Sequence, residues 1–231
     1  MGIKYFENEK TFMIQTKSST YSFCIDGRKN LCHLYWGPKV IEIFDLPTIE
    51  QLARRFTIHK IQDDDIQEYR GFGGNSTIEP SLKVRFSDGT RDLFLKYRNH
   101  IIEGSELKIT LSDPQYPIEV TLKYVVNEEY DVIQRSSTIK NTGTEDIMIE
   151  KAYSATWILP YRDYFRLTYF PGAYSKEFQF KQEEIFNGKR VIESRTGLSG
   201  PEAIPFFMID DGNANEDTGG VYFGSVVWSG N

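Results

Sequence analysis

Acidic side chains offer the first chemistry to weigh. Asp63-Asp64-Asp65, Glu128-Glu129, Glu183-Glu184 and Asp210-Asp211 stand out, and two carboxyls about 5–9 Å apart can act as acid and base across a sugar linkage. Adjacent residues on a strand point to opposite faces, so sequence neighbours make poor catalytic pairs. Each cluster falls at an expected turn or loop, where solvated charge is the ordinary explanation. The three histidines, His33, His59 and His100, lie far apart and form no His-x-x-x-His ligand pattern; structural or surface roles are expected. No Gly-x-Ser-x-Gly elbow occurs. Gly71-Phe-Gly73-Gly74-Asn-Ser76 lacks the last glycine and the following helix of a dinucleotide fingerprint. No catalytic residue, metal site or cofactor is therefore expected from local motifs.

The elements available to position such groups are strands. Glu119-Val-Thr-Leu-Lys-Tyr-Val-Val126 puts Val120, Leu122, Tyr124 and Val126 on one face and Thr121 and Lys123 on the other. Lys83 to Phe86 and Phe178 to Phe186 have similar character. Turn residues separate such runs: Asp26-Gly27, Asp88-Gly89, Asn141-Thr-Gly143 and Asn187-Gly188. Ile185 to Val191 reads as the clearest hairpin. Asp210 to Asp217 reads as an exposed hairpin loop. About fifteen strands are expected by run-and-punctuation rules. The one convincing helix lies in Leu46 to Phe56, with Thr48 as its cap and Ile49, Leu52 and Phe56 on one side. This pattern predicts an all-β fold, a large antiparallel β-sandwich with at most one or two short helices, in a single domain over 1–231.

Composition narrows the functional classes. The chain has 231 residues and a net charge of -6, so neither nucleic acid nor an anionic membrane is an expected partner. Aromatic residues make up 14%, which favours strands and supplies flat faces for sugar stacking. Trp36 and Trp157 have such faces, though rings beside strands more often fill a core. Cys24 and Cys32 flank the Asp26-Gly27 turn; buried reduced thiols are expected, with a disulfide geometrically conceivable if the strands pair. The first sixteen residues lack the apolar stretch of a signal peptide, and no run reaches membrane-spanning length. A cytoplasmic location is the expectation.

Between the strands sits a series of irregular phrases: His33-Leu-Tyr-Trp-Gly37; Gln67-Glu-Tyr-Arg-Gly-Phe-Gly73, leading into Glu79-Pro80; Asp131-Val-Ile-Gln-Arg-Ser136, leading into Ile139-Lys-Asn141; Leu167-Thr-Tyr-Phe-Pro-Gly172 with Glu177; Ser194-Arg-Thr-Gly197; Pro205-Phe206; and Gly220-Val-Tyr-Phe-Gly224 with Trp228-Ser-Gly-Asn231. In order and spacing, across essentially the whole chain, they resemble the N-terminal domain of bacterial α-galactosidases of glycoside hydrolase family 36. The resemblance implies a β-supersandwich of the galactose-mutarotase-like kind. It implies a following (β/α)8 barrel, with an aspartate nucleophile and an aspartate acid/base acting by a retaining mechanism. Those aspartates are expected beyond Asn231, so the chain alone is expected to be inactive.

The resemblance also implies partners: the domain's own catalytic barrel, neighbouring subunits of a homotetramer, and galactoside sugars. A loop over Gly73 to Glu79 would reach a neighbouring subunit's sugar pocket. Where the family carries an Asp-Phe-Arg-like segment, this chain has Ser76, Thr77 and Ile78, which removes a carboxylate and a guanidinium suited to hydroxyl groups. Candidate substrate-binding residues are Ser76, Thr77, Ile78, Glu79 and Trp36. Two other classes stand beside this reading. One is a stand-alone carbohydrate-binding module on the same sandwich. The other is a sugar epimerase, which needs His and Glu converging on one sheet face.

Overall fold

The computed structural model describes residues 2–54, 66–74, 78–160, 162–186, 188–195 and 199–227. His59, the Asp63-Asp64-Asp65 cluster, Phe56, Asn75, Ser76, Thr77, Asn187 and Trp228 to Asn231 lie outside them. Among the described residues there are fourteen strands, one short α-helix and two 3-10 turns. The all-β expectation is met. The chain divides into two compact units, Met1–Pro160 and Tyr161–Asn231.

The first unit holds ten strands in three antiparallel sheets. One sheet runs β1 (Gly2–Phe6), β2 (Thr11–Gln15), β3 (Ser19–Ile25), β4 (Leu31–Pro38) in simple order. A short pair joins β5 (Leu82–Arg85) to β10 (Met148–Ala152). The third runs β6 (Lys96–Glu103), β7 (Glu106–Ser112), β8 (Ile118–Asn127), β9 (Val132–Asn141). All three contribute to one hydrophobic core, which includes Phe12, Ile14, Tyr21, Phe23, Leu82, Val84, Ile109, Leu122 and Tyr124. The Phe23 and Tyr124 rings stack with centroids 5.1 Å apart, joining β3 to β8 across the sandwich. Each such side chain, fully buried, contributes about 1.5–3 kcal/mol through area removed from water.

Strand β8 follows the alternation in the sequence: Val120, Leu122, Tyr124 and Val126 are buried, and the intervening residues are not. On the outer face Lys108 and Lys123 sit directly opposite one another, an unfavourable cross-strand pair by itself. Glu106 resolves it, with one carboxylate oxygen 2.7 Å from Lys108 Nζ and the other 2.6 Å from Lys123 Nζ.

The β3–β4 turn is built by Asp26, whose side chain accepts from the backbone N–H groups of Arg28 and Asn30 at 2.8 and 2.7 Å. The left-handed residue there is Lys29, at φ 64°, rather than Gly27. Cys24 and Cys32 face each other in register, and both are free, buried thiols. Burial, followed by the nearby Asp26 and Glu50 charges, pushes the Cys24 thiol up to about 12. Helix α1 (Ile49–Arg54) starts where expected. Thr48 Oγ1 accepts from Gln51 N at 3.3 Å, and Gln51 Oε1 accepts from Thr48 N at 2.9 Å, a reciprocal cap of both free amides.

The second unit is one antiparallel sheet, with β12 (Lys181–Glu184), β11 (Arg166–Tyr169), β13 (Phe206–Asp210) and β14 (Val221–Ser225) side by side in that order. The β13–β14 connection matches the expected loop. Asp210 departs from that reading: it ends β13, is buried, and is held by Arg166 at 3.0 Å. Glu183 likewise lies on a strand, paired to Arg190 at 2.6 Å. The hairpin expected over Ile185 to Val191 does not form its second strand. Strand β12 pairs with β11 instead, and residues 188–195 are exposed without strand structure. Turn chemistry at Asn187-Gly188 was the whole signal, and no alternating buried face follows it to hold a partner strand.

Candidate functional site

Three of the irregular phrases meet inside the first unit. Glu68, from the segment between α1 and β5, is 0% exposed. Its Oε1 accepts from Tyr21 Oη at 2.5 Å and from His33 Nδ1 at 3.1 Å. Its Oε2 accepts from Tyr124 Oη at 2.9 Å and from Arg135 Nη2 at 2.8 Å. A carboxylate has only acceptor sites, so Nδ1 of His33 carries the hydrogen. The donors come from β3, β4, β8 and β9, and each reaches the same point because its strand presents it on the core face.

Arg135, with its side chain 3% exposed, completes the cluster. Its Nη1 donates to Tyr21 Oη at 3.0 Å and to the Thr156 carbonyl at 2.5 Å. The guanidinium lies over three rings: Trp157 at 4.5 Å, Tyr124 at 4.8 Å and Tyr21 at 5.6 Å. Burial alone would raise the Glu68 pKa. The Arg135 charge and the bonds from His33 and Tyr21 outweigh it and hold the carboxyl below its ordinary range. Burial and the neighbouring carboxylate push both tyrosine hydroxyls well up. The result is a neutral, enclosed ion pair whose four carboxylate bonds are all made within the protein. A base so engaged, with no exposure, cannot accept a proton from a substrate. His33 and Glu68 do converge on one face, as an epimerase would need, yet here they spend their bonds on each other and on Arg135.

Trp36, on β4, is half-buried among this cluster's aromatics. Its ring lies 4.9 Å from Trp157 and 6.0 Å from Tyr21. Ile78 and Glu79 belong to a different constellation, the loop that leaves at Arg70 and returns at Ser81. The roots of that loop are tied by Ser81 N and Leu82 N donating to the Arg70 carbonyl at 2.8 and 3.1 Å, and by Arg70 N donating to Ser81 Oγ at 3.1 Å. Gly71 passes so close to β5 and its neighbours that a Cβ there would meet the Leu93 carbonyl oxygen at 2.2 Å. Gly73, at φ 120°, adopts a conformation open to glycine. Across the loop, Arg70 Nη2 donates to the Ile78 carbonyl. Glu79, 44% exposed, is ion-paired with Lys151 of β10, and Lys83 Nζ lies 4.8 Å over the Phe72 ring.

Sequence reasoning passed over Glu68, Arg135, Tyr21, Tyr124 and Arg70. The signal was present in one form: His33, Glu68 and Arg135 each fall in an irregular phrase quoted for its order along the chain. Among the described residues no cluster of three or more His, Cys, Asp or Glu side chains is arranged to hold a metal ion, and no helix is long and apolar enough to cross a membrane.

Antiparallel sheets closed around a sealed carboxylate define a sandwich-type domain. Residues 29–231 match the model of the glycosyl hydrolase family 36 N-terminal domain, and the chain belongs to that family. It is 28% identical to the α-galactosidase AgaA of Geobacillus stearothermophilus, over 100% of this chain and 35% of that protein. The α-galactosidase Mel36A of Lactobacillus acidophilus is also 28% identical, over 99% of this chain and 35% of its own length. The crystal structure of the family 36 α-galactosidase AgaB from Geobacillus stearothermophilus superimposes with a TM-score of 0.86 at 26% identity, over 96% of this chain and 34% of that one. The chain thus spans about a third of the length of the curated relatives it matches.

Proposed function

We propose that this chain works as one domain of an α-galactosidase. It would brace a catalytic (β/α)8 barrel and the contacts between subunits of a homotetramer, and contribute its 71–79 loop to a galactoside pocket. The observation that carries the reading is the match of nearly the whole chain to about a third of an α-galactosidase. Two features of this molecule support it. The converging His33–Glu68 pair is closed to substrate, so that pair does not supply the acid and base for hydrolysis. Several phenylalanines of the second unit lie open to solvent, as expected of a surface made to be covered. The enzyme would act in the cytoplasm on terminal α-galactosides, and Glu79, Ile78, Ser76, Thr77 and Trp36 are the residues proposed to meet or shape the space around the sugar.

The test is to read the source DNA past codon 231 and assay both products on a chromogenic α-galactoside. The reading expects an open frame continuing into a barrel, a longer product that hydrolyses the substrate, and a 231-residue chain that does not. An immediate stop codon would sink it. Saturable galactoside binding by the short chain would then favour a free-standing binding module.

A further inference from the structure

We infer that Arg70 is a positioning residue: its buried side chain latches the returning limb of the loop and thereby sets where Glu79 is presented to sugar. The inference rests on the reading of the loop given under Proposed function. Arg70 ties the loop at two levels. Its backbone closes the roots through Ser81 and Leu82, and its guanidinium crosses to the carbonyl of Ile78, the residue immediately before Glu79. The side chain is buried, and a charged donor in such surroundings makes a strong, directional bond. Ser81 Oγ, which accepts from Arg70 N, also lies 2.6 Å from Thr156 Oγ1. The roots are thereby fixed to the same 153–157 segment that Arg135 holds through the Thr156 carbonyl.

What the latch delivers is a defined charge. In the described part of the loop, 71–74 and 78–80, Glu79 is the one ionisable side chain. It is partly exposed and paired with Lys151, whose Nζ lies 5.4 Å over the Tyr153 ring. A carboxylate and an ammonium side by side, next to an aromatic face, offer an acceptor, donors and a stacking surface to a polyhydroxylated ligand. Their position depends on the limb carrying Glu79, and a bond reaching that limb from across the loop comes from Arg70.

The experiment has two readouts. In the 231-residue chain, Arg70→Met is expected to speed amide exchange at 71–74 and 78–82 by about tenfold or more. Exchange in β2 and β3 should stay unchanged, and Arg70→Lys should recover part of the protection. In the full α-galactosidase carrying this domain, Arg70→Met should raise KM about fivefold with kcat within about twofold, and Glu79→Ala should do the same. Unchanged exchange in Arg70→Met overturns the latch. Raised exchange, with KM raised by Glu79→Ala but not by Arg70→Met, overturns the positioning role while the loop's place in the pocket stands. If neither variant moves KM, the loop reading itself fails, and this inference falls with it. Should Arg70→Met prove too unstable to purify, Arg70→Lys carries both readouts: its wider ammonium geometry should give intermediate exchange and KM, and wild-type values in both would overturn the proposal.

Discussion

The two units satisfy their side chains in opposite ways. The first builds a core drawn from three sheets, with a buried carboxylate and guanidinium that bond to each other and to neighbours within the unit, although side chains such as Phe44 and Ile41 stay exposed. The second has one sheet of short strands. Among the described residues, Leu167 and Ala203 are its buried apolar ones, while Phe186 is 73% and Phe223 54% exposed. A single sheet of four short strands cannot enclose that many rings. A unit that closes its interior is stable through its own contacts; a unit that leaves its rings open draws part of its stability from whatever covers them.

The largest effect should come from opening the first unit's ionic centre. Arg135→Met strands the Glu68 carboxylate in the core, and urea unfolding should show a loss of about 3–5 kcal/mol. A loss under about 1 kcal/mol would mean that water already reaches Glu68, and the contrast between the units would weaken.

Acid offers a middle-sized test. Asp131, in the β8–β9 turn, receives hydrogen bonds from the Ser18 and Thr16 hydroxyls and from Ser18 N. Slight burial opposes ionisation there, but these bonds prevail and lower its pKa from an ordinary 3.8 to about 2. Because the folded value lies below the unfolded one, the stabilisation is complete above about pH 4 and is lost as pH falls toward 2. Glu68, also lowered, adds to the same trend with the same sign. Chemical denaturation from pH 5 to pH 2 should therefore show falling stability. Asp131→Asn should flatten the lower part of that curve; an unchanged slope would remove Asp131 from the account.

The smallest effect should fall on the second unit. Phe223→Ser removes an exposed ring, so stability should move by no more than about 0.5 kcal/mol, while binding of a hydrophobic dye drops. A loss of several kcal/mol would show that Phe223 is held by its own unit, against the contrast drawn above.

How far the sequence could be read follows from the range of each interaction. Strand β8 was legible residue by residue, because alternation is local and both neighbours in its sheet follow the same pattern. The cap of α1 was legible for the same reason: Thr48 and Gln51 are three residues apart. The hairpin expected at Asn187-Gly188 failed because turn chemistry permits a reversal without supplying a partner strand. Asp210 was misread as solvated loop because its partner, Arg166, lies 44 residues away. The Glu68 centre was beyond such reasoning altogether, since no spacing between His33, Glu68, Tyr124 and Arg135 marks them as neighbours. The collinear phrases containing three of them were informative about family, but silent about contact. Of the candidate site, Glu79 and Ile78 were named through the resemblance, and Arg70, which bonds the Ile78 carbonyl, was not singled out.

The distance along the chain between Tyr21 and Arg135 has a consequence during synthesis. The two are hydrogen-bonded partners 114 residues apart, so at ribosomal rates of about 5–20 residues per second, roughly 6–23 s separate their emergence. Glu68 must wait roughly 3–13 s for the same cation. Through that interval a growing chain holds an interior acid with its tyrosine and histidine donors from β3 and β4 but no countercharge, and the sheet the first must close against is incomplete until β9 emerges. Nascent chains halted before residue 135 should be open to protease and bound by chaperones, and those halted well past β9 should become resistant together, in one step rather than strand by strand.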